Sequence, residues 1–264
     1  MNKLQVIKIG GRVIEDESSM NKFIREIANL SDPCILVHGG GSMTTELALK
    51  LKIPQQLVEG RRVTDADTLK IAVMVYAGWI NKQLVAGLQA MGTDAIGLSG
   101  ADMNCISSTL RKKEGVDYGF AGDLNEKSVN GERFKSLLEI GFTPVVCSIT
   151  HDGKGQLLNT NADTLASAIA SEMSRFCEVQ LNYCFEKQGV MRDMTDKGSV
   201  IPQLTKSEYS HLKNSGCIHS GMIPKLDNAF LALEKGVEKV IIAEAGAIEN
   251  IIQNKPHHGT ELSI

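Results

Sequence analysis

Two short apolar runs that break off into glycines limit what this chain can fold into. Residues 4–9 read as a buried strand ending at Gly10-Gly11, and residues 34–37 as a second, ending at His38-Gly39-Gly40-Gly41. Between them Met20, Phe23, Ile24, Ile27 and Leu30 follow helical spacing. Short buried strands alternating with amphipathic helices are the signature of an α/β fold, an open and mainly parallel sheet sandwiched by helices.

The alternation continues to the end of the chain. A helix is expected from about Ser42, and a long helical pattern runs through Leu69, Val73, Ile80, Leu84 and Leu88 to a strand over 95–98. Residues 103–129 are polar and dotted with glycine, and read as a hairpin or surface excursion. A helix over 134–140 returns the chain to a strand over 142–149. A helix follows from Asn161, then a strand over 179–184, and Thr205-Lys206-Ser207-Glu208 fits a capping box opening another helix. A helix over 222–235 and a strand over 240–243 complete the pattern. With 264 residues and no Pro/Gly/Ser linker, the expectation is one domain of two lobes, 1–155 and 156–264.

Composition excludes several classes. A formal net charge of −3 gives no electrostatic basis for binding nucleic acid or an anionic membrane. The opening MNKLQVIKIGG is too short in its apolar run for a signal peptide or membrane helix, and no later stretch is expected to span a bilayer. The six cysteines form no C-x-x-C pair and no zinc-like spacing with the six histidines, so free thiols in a reducing cytoplasm are expected.

Open parallel sheets bind ligands at the carboxyl ends of their strands. Glycines there let backbone N–H groups approach an anion, and a following helix adds its positive end. Glycines also simply make tight turns, and both readings stand for either turn alone. Neither is a P-loop, since G-x-x-x-x-G-K-[ST] is absent, and no G-x-G-x-x-G fingerprint appears. Lys8, near the end of an apolar strand, needs a negative partner if it is buried.

Further motifs extend in a fixed order: KIGGR, VHGGG, GRRVT, NTNAD at 159–163, GMIPKLDNA at 221–229 and a closing GTEL. This series resembles the amino-acid kinase family over essentially the whole chain, and within it the branch that phosphorylates N-acetylglutamate. The resemblance implies ATP-dependent phosphorylation of the side-chain carboxylate of N-acetyl-L-glutamate in arginine biosynthesis, in a cytoplasmic homodimer. Lys8 and Lys225 would neutralise the transferring phosphoryl, with Asp163 between them. Asp163 also reads as a first-turn acid behind an Asn161 N-cap. Arg62 would grip the α-carboxylate, and Asn159 with Gly40, Gly41 and Ser42 would hold the rest of the acceptor. Gly10, Gly11, Tyr183, Phe185, Gly189, Val190, Met191, Cys217, Ile218 and His219 would line the nucleotide. Mg²⁺ would be held mainly by the nucleotide phosphates, with no protein ligand assigned.

The chain departs from the family pattern twice. The family's nucleotide strand ends in L-x-D-V-x-G-V-L, whereas Tyr183 stands at the aspartate position here and the loop to Met191 is longer. Cys217-Ile218-His219-Ser220-Gly221 replaces a family I-x-G-G-M. These departures leave a non-catalytic sensor of an acidic amino acid or nucleotide as an alternative. Arg61 beside Arg62 raises N-succinylglutamate as an alternative acceptor, although Arg61 reads as a surface charge. The chain starts almost at its first strand, so an N-terminal helical extension of the kind found in arginine-inhibited hexameric relatives is not expected.

Overall fold

A computed structural model describes residues 2–193, 196–218 and 221–264. Its strands are β1 (Lys3–Ile9), β2 (Cys34–His38), β3 (Gln56–Val58), β4 (Arg61–Val63), β5 (Ala95–Leu98), β6 (Thr109–Lys113) and β7 (Val116–Asp123). They continue as β8 (Thr143–Cys147), β9 (Ile149–His151), β10 (Leu157–Thr160), β11 (Glu178–Phe185), β12 (Gln203–Thr205), β13 (Lys239–Glu244) and β14 (Thr260–Ser263). The helices are α1 (Gly11–Glu15), α2 (Glu17–Ala28), α3 (Gly41–Lys50), α4 (Ala66–Val73), α5 (Asn81–Ala90), α6 (Gly131–Glu139), α7 (Ala162–Met173), α8 (Lys206–Asn214), α9 (Ile223–Glu234) and α10 (Ile248–Ile252).

Eight strands form one sheet in the order β12-β14-β13-β11-β1-β2-β8-β5. Every pairing in it is parallel except β13 with β14. Along β1 successive side chains take opposite faces. Leu4 and Val6 join the core formed with α6, α7 and α9, while Ile7 and Ile9 join the core formed with α2 and α5. Burial on both faces is why the strand sequences run nearly apolar without alternation. The chain leaves β1 for β2 on one side and leaves β11 for β13 on the other. The strand order therefore reverses between β1 and β11, and such a switch opens a crevice at the carboxyl ends.

The expected strand over 142–149 is two strands. The chain leaves the large sheet at Ser148 and begins β9, which pairs with β10 in a second sheet of order β6-β7-β10-β9. The expected hairpin within 103–129 is β6–β7 of that sheet. The hairpin β3–β4 pairs Val58 with Arg61 across Glu59 (φ 51°) and Gly60 (φ 73°). Positive φ at both loop residues makes this a type I′ turn, the form that matches strand twist. The Thr205–Glu208 capping box is present as expected.

One helix is longer and more apolar than expected. The helical stretch Ala66–Ala90, 25 residues long, is long and apolar enough to cross a membrane by length and composition. Its Leu69, Ile71, Val75, Ile80, Leu84 and Leu88 are buried in the core, so its apolar character serves packing. The turn of π-helix Met74–Ile80 at its centre packs on the second glycine turn. A Cβ at Gly40 would lie 2.4 Å from Ile80 Cδ1 and 2.8 Å from Tyr76 Cδ1, so only glycine fits there.

His38, fully buried at the end of β2, donates from Nδ1 to the Gly39 carbonyl at 2.9 Å and accepts at Nε2 from Asn81 Nδ2 at 3.1 Å. The carbonyl can only accept, which fixes the proton on Nδ1. Burial pushes the imidazole down to about 4, so it is neutral at pH 7. A folded-state value below the unfolded one contributes stability that is complete above about pH 6.5 and lost as pH falls towards 4. The difference in Tm between wild type and His38→Gln should therefore shrink between pH 7 and pH 4, as measured by scanning calorimetry. A pH-independent difference would show that the buried ring keeps an ordinary affinity for its proton.

Candidate active site

At the carboxyl end of β1, the ammonium of Lys8 lies 2.8 Å from Asp163 Oδ1, and that of Lys225 lies 3.0 Å from the same oxygen. Lys8 is placed by the strand, Asp163 by the first turn of α7, and Lys225 by the first turn of α9. Both readings of Asp163 are realised, because Asn161 also caps α7 by accepting from the Thr164 N–H at 2.9 Å. All three side chains are largely withdrawn from solvent, at 12%, 20% and 10% exposure in chain order. Burial would raise the Asp163 carboxyl, but Lys225 and Lys8 outweigh it and hold the group well below the usual carboxylate range. Burial draws the Lys225 ammonium below its ordinary value, and Asp163 opposes that shift. The Tyr183 and Phe185 rings, 5.0 and 5.6 Å from Lys225 Nζ, give the cation π faces to rest on.

A cavity of about 260 Å³ opens beside Lys8 and Asp163 and is also lined by Gly40, Gly41, Ser42, Arg62 and Asn159. The N-termini of α3 and α7 both reach it, adding the positive ends of two helices. The β3–β4 hairpin carries Arg62 over the cavity. Its Nη2 donates to the Gly41 carbonyl at 2.8 Å and to Thr45 Oγ1 at 2.9 Å, and its Nη1 donates to Gln55. These neutral partners fix the guanidinium plane and leave its charge uncompensated. Asn159 Nδ2 donates to Thr64 Oγ1 at 3.1 Å, which ties β10 to the same hairpin.

A second cavity of about 400 Å³ lies past the end of β11, lined by Phe185, Gly189, Val190, Met191, Ile218 and Lys225. The closing GTEL motif serves this wall. Thr260, in β14, accepts from the Val190 N–H at 2.8 Å and sits where a Cβ on Gly189 would meet it at 2.7 Å.

Four expected nucleotide residues are placed otherwise. The Gly10 N–H is taken by the Cys184 carbonyl at 2.7 Å, so it is not a free donor for phosphate. Gly11 lines the first cavity. Tyr183 is fully buried, with its hydroxyl donating to the Asp163 carbonyl at 3.0 Å, and lines neither cavity. Cys217 is exposed away from both cavities. His219 lies outside the described residues. Arg61, expected at the surface, lines the first cavity together with Arg111.

The family model for the amino acid kinase family matches residues 3–244. The chain belongs to the amino acid kinase family. Among its relatives, an acetylglutamate kinase of Phocaeicola vulgatus is 49% identical over 93% of this chain and 95% of that protein. One of Cytophaga hutchinsonii is 48% identical over 99% of both chains. Among solved structures, N-acetylglutamate synthase from Neisseria gonorrhoeae superposes with a TM-score of 0.84 at 22% identity, over 99% of this chain and 59% of that one. At that identity the likeness concerns the fold.

The family motifs point to Lys8, Asp163 and Lys225; KIGGR also contains Arg12 without assigning it a role, and Arg111 and Glu186 carry no motif signal. Arg12 and Glu186 pair at 3.2 Å on the rim of the second cavity. Arg111 lay in a segment without periodicity, where only its charge marks it. Tyr183 shows why a motif position need not keep its role: an aromatic side chain here fills the core beneath Lys225. Tyr183→Phe should lower stability by about 0.5–1.5 kcal/mol, because one buried hydrogen bond is lost while the Asp163 carbonyl keeps its place in the α7 ladder. It should leave the KM for nucleotide within a few-fold, and a large rise in that KM would place Tyr183 at the ligand instead.

Proposed function

We infer that the chain transfers the γ-phosphoryl of ATP to the side-chain carboxylate of N-acetylglutamate, the acceptor named in its relatives. The observation that carries this is a single carboxylate bonded to two lysines, one facing each cavity. A nucleotide in the second cavity and an acylated glutamate in the first would meet between Lys8 and Lys225. Phosphoryl transfer asks mainly for positive charge and alignment about the moving group, which two ammoniums held by Asp163 supply. The acceptor carboxylate is already ionised at neutral pH, so no general base is needed. Asp163, acid-strengthened and doubly engaged, is suited to positioning the lysines and not to taking a proton.

In this reading Arg62 grips the α-carboxylate, while Asn159 and the backbone of Gly40, Gly41 and Ser42 hold the amide end. Residues 1–155 form most of the acceptor lobe and 156–264 the nucleotide lobe, with Asn159 and Asp163 reaching into the acceptor cavity. Magnesium bound with ATP would offset the phosphate charge. Phosphate oxygens and water would be its main partners. Free thiols at all six cysteines support a cytoplasmic setting, and exposed Met74 and Trp79 on the long helix support a homodimer through that face.

Coupled measurement of ADP release with Mg-ATP, with and without N-acetylglutamate, tests the reading. Acceptor-dependent turnover is expected, and its absence would leave a binding protein. Lys8→Ala and Lys225→Ala should each lower kcat by about 10²–10³ with a smaller change in KM, since both act on charge in the transition state. Arg62→Lys should chiefly raise the acceptor KM with little change for ATP, because lysine keeps the charge and loses the planar fork.

A further inference from the structure

The acceptor cavity carries more guanidinium groups than N-acetylglutamate can use. Arg61, Arg62 and Arg111 all line it. That acceptor brings two carboxylates, one reacting between the lysines and the other assigned to Arg62. Arg61 and Arg111 are left over.

Arg111 is held for a purpose other than sheet pairing. The β6–β7 ladder loses register between Leu110 and Lys112, so Arg111 stands at the irregularity, a device that re-aims a side chain. Its guanidinium lies 4.9 Å over the Tyr118 ring, and its Nη1 meets Asp123 at 2.8 and 2.9 Å. Its Nε is buried with no hydrogen-bond partner. Arg61 reaches the same space from the hairpin, where it meets the Thr164 hydroxyl at 3.3 Å. Among the described residues no carboxylate lies within salt-bridge range of Arg61. Burial first, then the neighbouring Arg111, draws its guanidinium below its ordinary value. Two half-buried guanidiniums side by side, with one counter-charge between them, repel each other unless an anion joins them. Their planar forks match a carboxylate.

Resting on the kinase reading of this cavity, we propose that Arg61 and Arg111 form a second anion subsite for the terminal carboxylate of a dicarboxylic N-acyl group, as in N-succinylglutamate. The preferred acceptor is then a tricarboxylate, and N-acetylglutamate, which leaves the subsite empty, is the slower substrate. An acetyl group ends in a methyl, which has nothing to gain from two guanidiniums.

The test compares kcat/KM for N-succinylglutamate and N-acetylglutamate in wild type, Arg61→Ala and Arg111→Ala, alongside calorimetric titration of both compounds. Wild type is expected to favour the succinyl compound by about 10²-fold, since a site built around a polar group rejects the analogue lacking it. In each variant that ratio should fall towards one, whereas damage to the fold would lower both values together and preserve the ratio. A wild-type preference for the acetyl compound, or a ratio unchanged in both variants, overturns the proposal. Tighter binding of the succinyl compound without ADP release would uphold the subsite and remove the kinase reading.

Discussion

Asp163 Oδ1 accepts from Lys8 and Lys225 at once, and the rest of the site is arranged around that shared oxygen. The two lysines come from elements far apart in sequence, a strand of the first half and a helix of the second. Like charges this close separate unless an anion lies between them, so the carboxylate is needed to hold the two ammoniums together. Withdrawal from solvent strengthens each contact and makes each ion expensive if left alone. Loss of any one of the three would therefore disturb the other two, and their effects should not add.

The sheet is what brings these three side chains to one place. β1 pairs with β2 on one side and β11 on the other, so Lys8 stands at the point where strand order reverses. Among the described residues, β1, β2 and β11 are buried throughout except at Lys3, Lys8 and Glu178. The glycine turns at the strand ends differ in what they do. Gly40 exists because Tyr76 and Ile80 leave no room for a Cβ, and its turn delivers the α3 N-terminus to the cavity. At the first turn, Gly10 lies with its N–H closed onto Cys184, which extends the pairing of β1 with β11. A glycine pattern alone could not separate these two uses.

Legibility in the sequence followed the range of the interactions involved. Strands buried on both faces and helices with one apolar face announce themselves locally, and β5 (Ala95–Leu98) and the Thr205–Glu208 cap fall where the pattern places them. The family motifs located Lys8, Arg62, Asn159, Asp163 and Lys225, all of which line one of the two cavities. Other short strands were not legible. β9, β10, β12 and β14 exist through partners supplied by tertiary structure, and so short a run carries no periodicity of its own. The inward position of Arg61 is not legible for a related reason. Adjacent residues on a strand face opposite ways, which argues for one arginine inward and one outward, yet both line the cavity.

The altered segment from Tyr183 to Met191 reshapes the wall of the second cavity and leaves the three charged residues in place, because different elements hold the two. Lys225 is carried by α9 and Asp163 by α7, while the loop is fastened from outside through Thr260 of β14. Tyr183 contributes to the centre only from below, as a buried ring under Lys225 and a donor to the Asp163 backbone. An aspartate there would put a second buried carboxylate beside Asp163, and the two would compete for the same pair of lysines. A neutral ring avoids that competition while still facing the Lys225 cation, so the charge of this cluster rests on Lys8, Asp163 and Lys225.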